Sequence, residues 1–244
     1  MKIGIFAGGF KPFHTGHFGK VALALEENDK VYLFYGVQSE KAKNPTMRKI
    51  GSREFTPRMS KRIFDIIKPA LEREYGDRIR VFDVHRPVGA VVDKIRQLKD
   101  DPLEKLKVYG RIEDLRRYYI NNRHLMRDVQ DLYDSGVLEF GTISPNESEG
   151  LSAEELSDLE VDRISKALSG TYPEASDEEL RDYSGVSATA VRNMIDSKDV
   201  DALKRYLPNF LSSEEEDQII DVLLERDVQA EAYLRYLIRG IIRG

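Results

Sequence analysis

Cysteine is absent from the 244 residues, which excludes disulfides and thiolate metal sites and makes a reducing compartment, the cytoplasm, the expected location. No apolar run approaches the length of a spanning helix, and the N-terminus lacks the charged-then-apolar layout of a signal peptide, so no membrane partner is expected. Histidine is scarce, with four in the chain. Basic charge is also outweighed: 38 Lys and Arg face 43 Asp and Glu, a net charge of −5. A whole-surface attraction to nucleic acid is therefore not expected, and any site for a polyanion must be local. What remains is 41% hydrophobic and 33% charged, enough for one sizeable core with appendages.

Apolar runs and helical periodicities alternate along the first part of the chain. "KIGIFAGG" reads as a buried strand that breaks at a double glycine. "HFGKVALALEENDK" follows with helical spacing and with Val21, Leu23, Ala24 and Leu25 as core contacts. "KVYLFYG", "RIRVFDV", "KLKVYG" and "VLEFGTI" read as four further strands, and "SKRIFDIIKPALEREYG" and "AVVDKIRQLKDD" as intervening helices. This alternation predicts an α/β fold: a Rossmann-like, doubly wound, five-stranded and mainly parallel sheet. Between Lys41 and Arg62 stand eight basic residues and one acid, Glu54, a stretch read as a loop feeding the second helix.

The alternation stops near residue 145. Residues 146–183 are acidic and turn-rich with one amphipathic segment, Ala153–Leu168. They read as an acidic insertion, either a partly helical lid or a solvated surface excursion. "GVSATAVRNMI" then offers a Ser/Thr helix start. Residues 211–244 open with serine caps and a glutamate-rich first turn and continue at helical spacing. The expected organisation is one Rossmann-like domain over 1–210, interrupted by that insertion, and a C-terminal helical extension over 211–244. The extension is expected to pack on the core or to form a homo-oligomer.

Two of the four histidines lie in "GGFKPFHTGH", residues 8–17. Ligands of open parallel sheets bind beyond the carboxyl ends of the strands, and this stretch follows the first strand. Gly8 and Gly9 permit a sharp turn and close approach of a ligand to the backbone. Pro12 stiffens the turn. A helix beginning near Gly16–His17 offers backbone N–H groups to an anion. Beside phosphates the cationic imidazole is favoured. His14 and His17 with the helix start thus read as a phosphate cradle. Zinc ligation by the pair is the competing reading, but no further His or Cys lies nearby, and no metal-ligating residue is assigned.

"GGFKPFHTGH" resembles the first signature of the nucleotidylyltransferase superfamily, which ends in His-x-Gly-His. A second signature of that family, Ser-x-Thr-x-x-Arg at a helix start, is matched by "SATAVR": Ser187, Thr189 and Arg192. The resemblance covers about residues 1–145 and 184–210, and in loop style is closest to nicotinamide mononucleotide adenylyltransferases. It implies His14, His17 and Arg192 as catalytic residues, with His17 on the transition state and His14 on the triphosphate. It implies Gly8, Gly9, Phe10, Gly16, Ser187 and Thr189 as nucleotide-binding residues; Lys11 sits where the family varies, but it faces the same turn and is expected to contact a phosphate of the nucleotide. The reaction implied is transfer of a nucleoside monophosphate from a nucleoside triphosphate, ATP favoured, to a phosphorylated small molecule such as nicotinamide mononucleotide, with release of pyrophosphate. Mg²⁺ is expected to arrive with the triphosphate. Lys41, Lys43, Arg58 and Arg62, in the basic stretch, are candidates for holding the acceptor.

The motifs also make physical sense without the family. A hydroxyl at a helix start caps the helix or donates to a phosphate oxygen, and an arginine one turn later supplies a guanidinium for the same anion. Several alternatives stand beside this reading. A cytidylyltransferase would use CTP and a phosphorylated alcohol or sugar. A non-catalytic nucleotide sensor would keep the fold without the chemistry. Class I aminoacyl-tRNA synthetases share His-x-Gly-His, and "PRMSKR" superficially resembles their lysine-bearing signature, but that signature belongs late in the catalytic domain. Tyr109 and Phe140 could stack on a base, although aromatic residues at strand ends are more often core.

Overall fold

The computed structural model describes residues 1–37, 49–50, 53–54, 56–110, 127–143 and 145–224. Five strands build the main sheet: β1 (Lys2–Gly8), β2 (Lys30–Gly36), β3 (Ile79–Val84), β4 (Lys105–Tyr109) and β5 (Leu138–Phe140). Their order is β3-β2-β1-β4-β5, and every pairing is parallel. A two-residue antiparallel ladder, Lys49–Ile50 with Arg53–Glu54, stands apart from it.

The helices between the strands are α1 (Thr15–Glu27), α2 (Pro57–Tyr75) and α3 (Pro87–Leu98). The order reverses at β1: the chain steps outward to β2 and β3, then α3 returns it to β4 on the other side. That places the topological switch point at the carboxyl ends of β1 and β4.

Side chains alternate across the sheet and build two cores. Ile3, Ile5, Phe34, Leu106 and Val108 face α3, where they meet Val91, Val92 and Ile95. Phe6, Leu33, Tyr35 and Val81 face α1 and α2. Val21, Leu23, Ala24 and Leu25 are all buried. The sheet is thus doubly wound, as its alternating pattern predicts. Two boundaries differ from that pattern. Helix α2 starts at Pro57 rather than Ser60, because the Thr56 side chain accepts a hydrogen bond from Met59 N–H (3.2 Å) and Pro57 suits the first helical turn. Likewise α3 starts at Pro87.

The later segment forms α4 (Ala153–Ser169), α5 (Asp177–Gly185), α6 (Ala188–Ser197), α7 (Val200–Arg205) and α8 (Ser213–Leu223). Helix α4 is not a solvated excursion. It lies along α1 and buries Ile164 and Leu168, and a Cβ built on Gly19 of α1 would meet Ile164 Cγ2 at 2.4 Å. Lys20 of α1 pairs with Glu160 of α4 (2.5 Å), and Arg163 of α4 pairs with Glu27 at the end of α1. The acidic residues other than Glu160 stay outward while one apolar stripe joins the core. Helix α8 packs on α2 and buries Ile219, Ile220, Val222 and Leu223. Residues 225–244 lie outside the described residues. No helix among the described residues is long and apolar enough to cross a membrane.

Candidate active site

Strand β1 ends at Gly8, and the turn to α1 runs over Gly9–His14. A cis bond joins Lys11 to Pro12. A Cβ on Gly8 would meet the Phe10 ring at 2.5 Å, whereas the space beside Gly9 is open to 4 Å. The Phe10 ring is only 2% exposed and packs against Phe6, Phe13, His17 and Tyr35. Phe10 is expected from the sequence to bind nucleotide; in the fold its side chain is core.

His14 is the N-cap of α1. Gly16 N–H donates to its Nδ1 (3.2 Å), while His17 and Phe18 N–H donate to its carbonyl (2.9 and 3.0 Å). An Nδ1 that accepts a hydrogen bond carries no proton. The ring N–H is accordingly assigned to Nε2. With Nδ1 taken by the Gly16 amide, Nε2 is the ring atom that His14 has for a ligand. The His17 ring lies 3.9 Å from that of His14, centroid to centroid, and also contacts the Phe10 and Phe13 rings, at 5.0 and 5.9 Å.

The N-terminus of α1 also differs from expectation. Thr15 N–H donates to the Tyr206 carbonyl (2.9 Å), and Gly16 N–H is taken by His14. These first donors are consumed within the protein, so α1 brings its dipole and its side chains to the crevice rather than those amides.

The second motif meets the first at this turn. A Cβ on Gly16 would lie 2.9 Å from the Val186 carbonyl oxygen, immediately before Ser187. Ser187 caps α6 by accepting from Ala190 N–H (3.1 Å). Arg192 folds back along the same helix: its Nε–H donates to the Ala188 carbonyl (2.9 Å) and its Nη2–H to Thr189 Oγ1 (2.9 Å). Lys11 is half-buried, and its ammonium is held below the usual lysine range by burial and, secondly, by the nearby positive charge of Arg192. Two cations that repel each other in this way are both relieved by an anion set near them. Ser187 and Thr189 keep their hydroxyl protons as donors, since both hydroxyls act as acceptors here.

Arg58 and Arg62 lie one turn apart on the exposed side of α2. Beside them, Lys61 pairs with Asp65 (2.7 Å) and with Asp83 near the carboxyl end of β3 (3.6 Å). Lys41 and Lys43 lie outside the described residues. Tyr109 is core: it is 2% exposed, donates to Glu27 and accepts from Asn28 Nδ2 (2.8 Å). Phe140 packs against Tyr133, its ring tilted by 49° with centroids 6.2 Å apart. Among the described residues there is no cluster of three or more His, Asp or Glu that would hold a metal ion.

Two contributors to the crevice carried no legible signal. Val186 precedes the second motif by one residue, and Tyr206 stands 14 residues beyond Arg192. Each meets the His14 turn through its backbone carbonyl, which every residue has.

Fold and crevice together define an α/β protein with a Rossmann-like parallel sheet, whose imidazoles and cations gather at the switch point. No family model matches the chain, and no curated protein matches it. Among solved structures it is similar to a bifunctional NMN adenylyltransferase/ADP ribose pyrophosphatase from Francisella tularensis. The crystal structure complexed with AMP and Mn ion aligns at 14% identity with a TM-score of 0.40, and a second crystal structure at 15% and 0.42. Both alignments cover 98% of this chain but 56% of the other, so the chain spans just over half the length of those structures.

Proposed function

We propose that the chain is a nucleotidylyltransferase. It would transfer a nucleoside monophosphate, AMP favoured, from the triphosphate to a phosphorylated small molecule such as nicotinamide mononucleotide. The observation that carries this reading is the meeting of two motifs some 170 residues apart: the turn with His14 and His17 touches the start of the helix with Ser187 and Arg192.

An oxygen of the acceptor phosphate attacks the α-phosphorus. A new P–O bond forms there, the bond to the bridging α–β oxygen breaks, and pyrophosphate leaves with that electron pair. No protein nucleophile is required. The chain's task is to hold two anions in line and to stabilise the charge that develops. His14 donates from Nε2, His17 stabilises the transition state at the α-phosphate, and Lys11, Arg192, Ser187 and Thr189 hold the phosphates. Gly9 leaves room for close approach of the nucleotide. Arg58 and Arg62 receive the acceptor's charge. The described residues offer imidazoles and cations here rather than an oxygen cage. Mg²⁺ would arrive with the triphosphate, as its complex.

The test is pyrophosphate release with Mg²⁺, pairing each of the four triphosphates with nicotinamide mononucleotide, phosphopantetheine, glycerol phosphate and sugar phosphates. Turnover is expected with ATP and one acceptor. Tight nucleotide binding without pyrophosphate release for any pair would identify a sensor instead.

A further inference from the structure

Among its contacts with the C-terminal half of the chain, the start of α1 beside His14 is held by two backbone carbonyls. One is the Val186 carbonyl against Gly16, and the other is the Tyr206 carbonyl, which accepts from Thr15 N–H at 2.9 Å. Tyr206 follows α7 and is only half-buried, yet its side chain is not idle. Its hydroxyl donates to Asp182 Oδ2 (2.6 Å), and its ring meets Tyr183 edge-on with centroids 6.2 Å apart. Asp182 belongs to α5, and α5 runs through Val186 into Ser187, the cap of α6. One residue therefore touches both pieces of the crevice. Its carbonyl holds the amide next to His14, and its hydroxyl holds the helix that delivers the second motif. A hydrogen bond to a carboxylate is charge-assisted and stronger than a neutral one. The bond to Asp182, with a smaller push from burial, raises the Tyr206 phenol to about 12, so it remains a donor through the neutral range.

We propose that Tyr206, anchored by Asp182, is a positioning residue that fixes the His14 turn against the Ser187 helix start. It touches no reacting atom. It acts by keeping the Thr15 amide bonded and thereby the His14 cap, with its Nε2–H donor, in place beside the start of the Ser187 helix. The kinetic part of this inference rests on the transferase reading; the structural part does not.

The full chain is compared with Tyr206→Phe, Asp182→Ala, Asp182→Asn and the double variant Tyr206→Phe/Asp182→Ala. Three readouts are used: hydrogen exchange at the Thr15 amide, the ¹⁵N shifts of the His14 ring, and pyrophosphate release. Tyr206→Phe and Asp182→Ala should each speed Thr15 exchange about tenfold, the worth of roughly one hydrogen bond to a charged group. Both should shift His14 toward a tautomer mixture and lower kcat about tenfold with little change in KM. Asp182→Asn keeps an acceptor for the hydroxyl and should stay near wild type. The double variant should be no worse than either single one, because both changes remove the same bond. Wild-type exchange at Thr15 in both single variants overturns the proposal, and so does faster exchange with an unchanged kcat. A wild-type chain that releases no pyrophosphate, but whose Thr15 exchange responds as expected, overturns the transferase reading and supports the clamp.

Discussion

Replacing His14 and replacing His17 should have different consequences, because only His14 also closes the start of a helix. Its Nδ1 takes the Gly16 amide, so His14→Ala loses an N-cap worth about 1 kcal/mol along with the Nε2–H donor. His14→Asn keeps a capping acceptor but not that donor. It should recover the melting temperature while leaving turnover low. His17 caps nothing, and His17→Ala should cut turnover about 10²- to 10³-fold, the usual cost of one preorganised donor. Thermal unfolding alongside pyrophosphate release separates the two roles. A fully active His14→Asn would reduce His14 to a structural cap. The sequence makes both histidines visible as candidates through their spacing after a strand and a double glycine. It does not disclose that the His14 Nδ1 is taken by a backbone amide two residues away.

Between elements, two glycines of α1 mark its close approaches, and they should fail in different ways. At Gly16 the obstructing atom is a backbone oxygen, that of Val186, which cannot rotate aside. Gly16→Ala must push the start of α6 away from the His14 turn, and a displacement near 1 Å of this kind costs about 10²-fold in kcat. At Gly19 the obstructing atoms are side-chain carbons of Ile164 and Leu168 on α4. Gly19→Ala overpacks that contact and should cost about 1–3 kcal/mol of stability, with turnover per folded molecule close to wild type. Denaturant unfolding and steady-state kinetics on both variants check the contrast; equal kinetic loss at the two positions would contradict it. The strands were legible because runs such as "KVYLFYG" are β-branched and aromatic with clear ends. The role of α4 was not. Its apolar residues are sparse among acids, and its partner is a glycine, whose value lies in the side chain it lacks.

For the whole molecule, the question is what holds the C-terminal half against the sheet, given that it completes the crevice. Buried apolar contacts do most of this, and one ion pair reports on it. Arg73, near the end of α2, donates from both terminal nitrogens to Glu215 at the start of α8 (2.8 and 2.9 Å), and its Nη2–H also reaches the Phe210 carbonyl (3.2 Å). The Arg73 bond first, and then the Ser212 amide, hold the Glu215 carboxyl down at about 2, against a usual value of 4.5. A depressed carboxylate stabilises the fold above its unfolded pKa and loses that contribution as pH falls through the folded one. The window for Glu215 therefore runs from pH 4.5 down to about 2. Glu215→Gln is the appropriate variant, since glutamine still serves the capping box with Ser212 and only the charge is removed. Because the Arg73 side chain is 54% exposed, solvent screening keeps the effect small, and the melting temperature at neutral pH should fall by about 2 °C. That gap should hold from neutral pH to about 4.5 and close as pH approaches 2, when wild type loses the charge that the variant never had. Thermal melts of both proteins across this range are the measurement. A gap that persists unchanged at the acid end would mean that Glu215 acts through its shape and capping hydrogen bonds, and that the pair with Arg73 adds nothing to the hold of α8 on α2.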